Sequence, residues 1–285
     1  MSVNKETWLF IDTGYLDAAT NMAVDEALLH WHSQQKIGPT LRFYGWKKPS
    51  LTVGHFQDVH KTIDFNGIEK HQCDFVRRLT GGSAVLHDDE LTYSVVVSES
   101  HSKIPQTVNQ AYFVIAQGIL YGYRNLGIDA NFSLPEVHNR ERSAVCFETP
   151  AIYELIVDGK KLSGNAQTRK NGVLLQHGSI PMSFDIDMLF DLFRFSSENK
   201  REKQKQKFVD KAISINDITG KKHNYSILKD AFLKGFEKGL NINTKPFTFS
   251  KEQWDYIHYL AETKYRSKSW NEERKTINGE RIING

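Results

Sequence analysis

The chain contains Arg77-Arg78-Leu79-Thr80-Gly81-Gly82-Ser83-Ala84-Val85-Leu86-His87-Asp88, in which a glycine pair follows one predicted strand and precedes another. Residues 74–78 and 91–97 have the β-branched and apolar content of strands. A glycine pair between strands lets the main chain approach a ligand closely, and its N–H groups can hold an oxygen or an extended acyl chain. The same pair could serve only as a tight connection that relieves strain, so the glycines alone leave both interpretations open.

The rest of the chain alternates strand and helix patterns. Strands are predicted at 8–11, 41–46, 51–54, 153–157, 161–167 and 173–180, and helices at 21–31, 107–126, 188–193, 225–240 and 251–268, the last with Ser250 as N-cap. In the first helix, Asp25 and Glu26 are predicted to lie in the early turns. The pattern predicts one α+β domain over residues 1–245 and a short helical C-terminal extension over residues 246–285.

Composition excludes several classes of protein. Among 285 residues, 37 Lys and Arg face 34 Asp and Glu, a balance that gives no reason to expect nucleic-acid binding. The two cysteines, Cys73 and Cys146, make no disulfide framework and indicate a reducing compartment. No apolar run approaches the ~20 residues of a membrane span, and the N-terminus lacks a signal-peptide core. We therefore expect a cytoplasmic protein without membrane contact.

The basic run 200–207 is predicted to be a solvated helix face, with a docking patch for an acidic carrier protein as the alternative.

A lone cysteine precedes a lysine on the next predicted strand: Cys146 in Ser143-Ala144-Val145-Cys146-Phe147, and Lys161 in Gly159-Lys160-Lys161-Leu162-Ser163-Gly164-Asn165-Ala166-Gln167. The thiolate is the nucleophilic form of cysteine, whose free thiol has a pKa of about 8.5. A nearby ammonium group stabilises the thiolate and lowers that pKa. The pair therefore suggests an activated nucleophile, whereas Cys73, which precedes a strand without such a context, is predicted to be a small buried apolar residue.

Three ordered motifs of this chain resemble the superfamily of lipoate–protein ligase A, biotin ligase and octanoyltransferase. The first is the glycine-pair stretch, similar to Arg-Arg-x-Ser/Thr-Gly-Gly-x-x-Val-x-His-Asp, and the others are 159–167 and 172–180. The resemblance covers roughly residues 8–275. It is closest to the cysteine-dependent octanoyltransferase branch, because 143–155 matches Ser-x-Val-Cys-Phe-x-x-Pro-x-x-Tyr-Glu-Leu. The chain departs from that branch at Ser83-Ala84, where Arg-Gly is usual.

The resemblance implies a mixed or antiparallel sheet flanked by helices, of the biotin and lipoate ligase catalytic-domain type. It implies a thioester on Cys146, thiolate stabilisation by Lys161, and transfer of octanoyl from octanoyl-acyl carrier protein to a lysine of a lipoyl domain such as the glycine cleavage H protein. A neutral Lys161 could also take the proton of the attacking amine. Residues expected to bind substrate are Arg77, Thr80, Gly81, Gly82, His87, Gly164, Gln167 and His177. We expect no cofactor, no metal site, no ATP requirement and a monomer.

Other functions remain open from the sequence. An octanoyl-protein amidotransferase, which moves octanoyl between lipoyl domains, would also use a cysteine and a lysine, and the identity of the acyl donor would decide. An ATP-dependent lipoate–protein ligase is disfavoured by Cys146 and by the short C-terminal segment. A non-catalytic acyl-binding module is disfavoured by the presence of both Cys146 and Lys161. A biotin ligase is disfavoured because its Gly-Arg-Gly-Arg-type loop is missing.

Overall fold

The structure is a computed structural model that describes residues 5–133 and 153–274. The described residues form ten α-helices: α1 (Ala18–Ser33), α2 (Val59–Thr62), α3 (Phe65–Lys70), α4 (Val108–Asn125), α5 (Ile186–Asp191), α6 (Glu198–Lys211), α7 (Ile215–Thr219), α8 (Tyr225–Gly239), α9 (Lys251–Leu260) and α10 (Lys268–Asn271). The strands are β1 (Glu6–Leu16), β2 (Thr40–Trp46), β3 (Ser50–Val53), β4 (Asp74–Arg77), β5 (Val85–His87), β6 (Glu90–Ser98), β7 (Asn131–Phe132), β8 (Leu155–Val157), β9 (Lys160–Lys161), β10 (Gly164–Lys170), β11 (Val173–Pro181) and β12 (Ile242–Pro246).

The main sheet has six strands in the order β10-β11-β6-β2-β1-β12. Strand β1 pairs in parallel with both β2 and β12, while the β2–β6, β6–β11 and β10–β11 pairs are antiparallel. Two smaller sheets have the orders β4-β3-β5 and β7-β8-β9. The sheet is mixed and flanked by helices, which confirms the predicted fold class.

Side-chain alternation along the central strands gives the main sheet two buried faces. Phe43, Tyr93 and Val95 lie in the apolar cluster that contains residues of α4 and α8. Tyr44 and Val96, each one position along the same strands, lie in the cluster that contains residues of α1 and α9. Strands covered on both faces contain few exposed positions, and every residue of β2 and β11 is buried.

Glycines bring α4 and α8 close together on the first face. A Cβ atom on Gly235 of α8 would lie 2.4 Å from the main-chain nitrogen of Gly122 in α4. A Cβ atom on Gly122 would in turn lie 2.2 Å from the ring of Phe232. Only a residue without a side chain fits at these positions, so the two helices pack backbone to backbone.

The predicted strand 161–167 is two strands in the structure. Lys161 pairs with Ile156 of β8 in the smallest sheet, whereas Gly164 pairs with Ser179 of β11 in the main sheet. The chain therefore passes from one sheet to another within this motif. The strand pattern continues across the break, which explains why one continuous strand was expected.

The last predicted helix is also divided. Ser250 caps α9 by accepting a hydrogen bond from the Gln253 nitrogen, which confirms the predicted N-cap. The helix ends at Leu260, a π-helical turn covers Ala261–Tyr265, and α10 follows. The side chains of Lys264 and Tyr265 on this turn both hydrogen-bond to Glu26 of α1. The wider turn therefore ties the C-terminal helices to α1.

The segment from residue 242 onward contacts the main body at several points. Strand β12, which the sequence did not predict, forms an edge of the main sheet and spans the predicted domain boundary at 245/246. Trp270 lies in the same apolar cluster as the residues of α1. No helix among residues 5–133 and 153–274 is long and apolar enough to cross a membrane.

Candidate functional site

A cavity lies between the α1 face of the main sheet and the small sheet β4-β3-β5. Its walls combine apolar side chains with a set of polar groups and glycines. The lining residues are Met22, Tyr44, Trp46, Thr52, Arg78, Gly82, Val85, His87, Thr92, Gly164, Asn165, Ala166, His177, Gly178 and Ser179.

Four of the residues expected to bind substrate line this cavity: Gly82, His87, Gly164 and His177. Gly82 has φ +95°, a conformation that favours glycine. Thr80 lies behind the wall, where its hydroxyl is 2.7 Å from Nε2 of His177. Substrate binding by these residues stays a prediction, and the structure brings them to one place from three separate motifs.

Arg77, Gly81 and Gln167 are not among the residues that line the cavity. The buried guanidinium of Arg77 donates to main-chain carbonyls of the segment 54–57 and of residues 270–271, so it joins β4 to α10. Burial lowers the pKa of Arg77 to about 10, which leaves it charged at neutral pH. Gln167 donates from Nε2 to Oε1 of Gln176 at 3.0 Å.

Arg78, to which the sequence analysis assigned no function, is the polar centre of the cavity wall. Its Nε donates to Oγ1 of Thr80 at 3.0 Å, and its Nη1 donates to Oγ1 and to the carbonyl oxygen of Thr52. Its Nη2 donates to the carbonyl oxygens of Gly81 and Ser83, both at 2.8 Å. These contacts match all five N–H donors of a guanidinium group. Arg78 thus holds the glycine loop from beneath.

The loop is also fixed by a close main-chain contact. A Cβ atom on Gly54 would lie 2.0 Å from the carbonyl oxygen of Gly82. Real Cβ atoms do not approach an oxygen so closely, so this position requires glycine. The predicted glycine pair therefore packs against a third glycine, which the motif did not include.

One hydrogen-bond chain runs from Arg78 through Thr80 and His177 to Asp25. Nδ1 of His177 lies 3.0 Å from Oδ2 of Asp25 and must donate to it if the carboxylate is ionised. Burial lowers the pKa of His177 despite the opposing effect of Asp25, so the ring is neutral at pH 7 and its Nε2 accepts the Thr80 hydroxyl proton. Along this series of hydrogen bonds each group therefore donates to the next one, from Arg78 through Thr80 and His177 to the carboxylate of Asp25.

A second series of hydrogen bonds joins the same kinds of group in the same order and runs from Arg78 through Thr52 and His87 to Glu90. The Thr52 hydroxyl lies 2.9 Å from Nε2 of His87, and Nδ1 of His87 lies 2.8 Å from Oε1 of Glu90. The ring of His87 stacks on Trp46 with a centroid distance of 4.1 Å. The two histidines of the cavity thus have the same arrangement of partners.

Both carboxylates at the ends of these chains are buried. Burial alone would raise the pKa of Asp25, but hydrogen bonding from His177 and the charge of Arg42, 2.8 Å away, outweigh it and lower that pKa. Burial would likewise raise the pKa of Glu90, and His87 with Ser179 and Thr92 lowers it. The two hydrogen-bond chains that begin at Arg78 therefore end on buried carboxylates whose pKa values are lowered from their ordinary values.

The predicted catalytic lysine lies in a buried ion pair. The side chain of Lys161 is 3% exposed, and its Nζ lies 2.6 Å from Oε1 of Glu154, whose side chain is 8% exposed. Lys161 precedes the cavity-lining Gly164 by three positions.

The predicted nucleophile Cys146 lies outside the described residues. Cys73 is buried as predicted, with its thiol 3.8 Å from the sulfur of Met188.

Among the residues that the structure describes, no group of three or more His, Cys, Asp or Glu side chains could hold a metal ion. The groups that are present can bind an apolar chain in the cavity and can position a polar head group against the Gly82 loop. The buried Lys161, three positions before the cavity-lining Gly164, adds a cation that can stabilise a developing negative charge.

The model of the lipoyl protein ligase A/B catalytic domain matches residues 17–237. The octanoyltransferase LipM of Bacillus subtilis (strain 168) is 51% identical over 278 residues, which are 95% of this chain and 100% of that protein. The octanoyltransferase LipM of Staphylococcus aureus is 48% identical over 271 residues, which are 93% of this chain and 98% of that protein.

Solved structures of lipoate ligases have the same fold. The bi-partite lipoate protein ligase of Thermoplasma acidophilum superposes with a TM-score of 0.77 at 22% identity, over 94% of this chain and 96% of that chain. A lipoate-protein ligase A bound with ATP superposes with a TM-score of 0.72 at 24% identity, over 94% of this chain and 98% of that chain. At these identities the similarity concerns the architecture.

Proposed function

The chain belongs to the family of lipoyl protein ligase A/B catalytic domains and is an octanoyltransferase, and we propose that it transfers octanoyl through a thioester on Cys146 with Lys161 as the partner of the thiolate. The proposed donor is octanoyl-acyl carrier protein. The proposed acceptor is a lysine of a lipoyl domain, with the glycine cleavage H protein as the expected substrate. The proposed enzyme acts as a monomer in the cytoplasm.

The buried position of Lys161 is the observation that carries this proposal. Burying an ammonium group costs several kcal/mol, about the effective penalty for an ion in a protein interior, so a lysine that is buried three positions before a cavity-lining glycine has a functional reason to be there. A thiolate is stabilised by such a cation, because opposite charges at short range favour the ionised thiol. Lys161 therefore supplies the charge that a cysteine nucleophile needs.

The cavity supports an acyl substrate. Met22, Val85 and Ala166 give it apolar walls, while Gly82 and Gly178 leave room for an extended chain. His87 and His177 line the cavity, and both nitrogens of each ring already have hydrogen-bond partners within the protein, so the two rings are held in fixed positions in its wall. We propose that the octanoyl chain lies here, with its carbonyl carbon toward Cys146.

The chemistry requires no activating nucleotide. Exchange of an acyl group between two sulfurs is nearly isoenergetic, and the later aminolysis of the thioester is downhill. The Cys146 sulfur bonds to the acyl carbon and the donor sulfur leaves as a thiol. The acceptor amine then bonds to the same carbon, and Cys146 is released.

Intact mass of the enzyme after incubation with octanoyl-acyl carrier protein, without ATP, tests the proposal. We expect one octanoyl adduct that is removed by hydroxylamine and is lost in Cys146→Ala. Cys73→Ala is the matched control and should retain the adduct, because Cys73 packs against Met188 in an apolar cluster. Transfer that appears only with octanoate and ATP would instead identify a ligase and refute the thioester.

A further inference from the structure

Glu154 carries a buried carboxylate with one paired and one unpaired oxygen. Oε1 accepts a hydrogen bond from Nζ of Lys161 at 2.6 Å. Oε2 is buried and has no hydrogen-bond partner among the described residues. The hairpin of β8 and β9 fixes this contact, because Glu154 immediately precedes β8 and Lys161 ends β9. The motif Tyr153-Glu154-Leu155 was noted in the sequence, but no function was assigned to its glutamate.

The buried carboxylates of Asp25 and Glu90 differ from that of Glu154, because both oxygens of each accept hydrogen bonds. Both oxygens of the half-buried Glu26 accept hydrogen bonds as well. An ionised carboxylate oxygen that is removed from water without a partner costs free energy that the fold must supply. Such unsatisfied groups in native proteins often have a functional reason. The open oxygen of Glu154 can accept a proton without breaking an existing hydrogen bond.

The balance of charge among three groups indicates that the carboxylate of Glu154 takes up the thiol proton. A thiol, the ammonium group of Lys161 and the carboxylate of Glu154 have no net charge together. Ionising the thiol with loss of the proton to solvent would give the three groups together a net negative charge, which the burial of Lys161 and Glu154 disfavours. Moving the thiol proton onto Glu154 leaves a thiolate, an ammonium group and a carboxylic acid, which again have no net charge.

We propose that Glu154 is the proton-holding partner of Lys161, which keeps the lysine as an ammonium ion and accepts the protons that Cys146 and the acceptor amine release. This inference rests on the proposed function. It assigns to Glu154 the proton acceptance that the sequence analysis gave to a neutral Lys161. Because it acts through Lys161, Glu154 is a positioning residue.

In the first half-reaction Lys161 passes a proton to Glu154 and receives the thiol proton of Cys146. The thiolate bonds to the acyl carbon, and the bond from that carbon to the donor sulfur breaks. The donor sulfur takes up the proton held on Glu154 by the same path and leaves as a thiol. The site then contains the thioester, the ammonium group and the carboxylate.

In the second half-reaction the neutral acceptor amine bonds to the acyl carbon and its nitrogen loses a proton to Glu154 through Lys161. The carbon–sulfur bond breaks, and Cys146 leaves as a thiolate beside the ammonium group. The carboxylic acid then returns its proton to the thiolate. Atoms and charges balance, and Lys161 is an ammonium ion at the end of each step.

Glu154→Gln separates this role from a merely structural one because two rates should change in opposite directions. Without the carboxylate, the thiolate and Lys161 form a neutral ion pair, so alkylation of Cys146 by iodoacetamide near pH 7 should rise about tenfold and its pH profile should move to lower pH. Transfer from isolated octanoyl-enzyme to the glycine cleavage H protein should fall at least about tenfold, because no group holds the amine proton.

Two further variants keep the test decisive. Glu26→Gln removes the half-buried carboxylate that pairs with the buried Lys264 at 2.7 Å, and should leave the alkylation profile and transfer rate unchanged. Glu154→Asp retains a carboxylate and should retain the wild-type alkylation profile. The inference is overturned if the Glu154→Gln profile superposes on that of the wild type, if transfer is unchanged, or if both rates fall together.

The outcome also distinguishes this inference from the function on which it rests. If wild-type enzyme forms no adduct on Cys146, the proposed thioester and the inference both fail. If the wild type forms the adduct and Glu154→Gln behaves like the wild type, the proposed function stands and the inference alone fails.

Discussion

Nδ1 of His177 lies 3.0 Å from Oδ2 of Asp25, and the two residues are 152 positions apart in the chain. Helix α1 contributes the carboxylate and β11 contributes the imidazole, so the contact joins the helix layer to the main sheet at the cavity. The carboxylate also pairs with Arg42 of β2 at 2.8 Å. One side chain therefore fixes three elements around the proposed acyl site.

Asp25→Asn should strongly destabilise the protein. The substitution leaves the fully buried Arg42 without a negative partner, and breaking a buried pair in this way costs about 3–5 kcal/mol. Urea denaturation monitored by circular dichroism measures the change in the free energy of unfolding. Asp255→Asn is the control, since it removes an exposed pair with Lys251 and should leave the midpoint unchanged. A loss below about 1 kcal/mol for Asp25→Asn would show that the pair does not hold these elements.

The hydrogen-bond partners of Asp25 could not be predicted from the sequence. The sequence pattern predicts a helix from residue 21, which puts Asp25 in one of its early turns. In the structure Asp17 caps the helix and Ala18 begins it, so Asp25 lies mid-helix and faces the sheet. Nothing local marks the partners of this carboxylate, because Arg42 and His177 reach it only when the sheet has formed.

Local patterns predicted the elements better than their connections. The glycine pair, His87 and His177 were predicted from motifs, and the structure places Gly82 and both histidines on one cavity. Arg78 stood in the same motif, but its function depends on acceptors at Thr52 and Ser83 that only the folded loop supplies. Strand β12 was missed because an edge strand needs one partner and little apolar pattern of its own.

The stability of the protein should fall as the pH falls through the titration of His55. Burial and the charge of Arg77 lower the pKa of His55 from 6.5 to about 4 in the folded protein. Between these values the unfolded chain binds a proton that the folded protein does not, so the free energy of unfolding decreases with decreasing pH. His55→Gln should reduce this loss in urea titrations at about pH 7 and about pH 4.5.

The exposed His60 provides the control for that experiment, and His60→Gln should keep the wild-type pH dependence. Nuclear magnetic resonance of the His55 ring measures the titration directly. A midpoint near 6.5 would contradict the prediction, because it would place the imidazole in contact with water in the folded state.

Met22→Ala should alter the preferred length of the acyl chain. Met22 of α1 is 3% exposed and lines the cavity, so its truncation lengthens the space available to an apolar chain. One methylene in an apolar pocket is worth about 1–3 kcal/mol, so the ratio of decanoyl to octanoyl transfer should rise about tenfold. Competition between the two acyl-carrier substrates, read by mass spectrometry, measures this ratio.

Met188→Ala removes the same number of atoms from a different apolar cluster, where the side chain is 7% exposed. Met188→Ala should lower the free energy of unfolding by about 2–5 kcal/mol, as expected for either methionine, and should leave the acyl preference unchanged. An equal shift in both variants would mean that general loosening, and not the shape of the cavity, determines chain length.

Helix α6 carries the basic run that suggested a docking patch for an acidic carrier protein. Arg201 pairs with Asp191 and Glu198, and Lys205 pairs with Asp187, so part of its charge is neutralised within the protein. Lys200, Lys203 and Lys207 are exposed and follow one another at helical spacing, which puts them on one face. We expect this face to attract the carrier.

Substituting Lys200, Lys203 and Lys207 together with glutamine should slow acylation by octanoyl-acyl carrier protein at least about threefold at low ionic strength, because electrostatic attraction mainly raises the association rate. The difference should vanish near 1 M salt, where the Debye length is about 3 Å. The exposed Lys221, Lys222 and Lys234 provide a control triple with the same change in net charge and should leave the rate unaffected. Equal slowing by both triples would assign the effect to net charge, and no slowing by either would leave α6 as a solvated helix face.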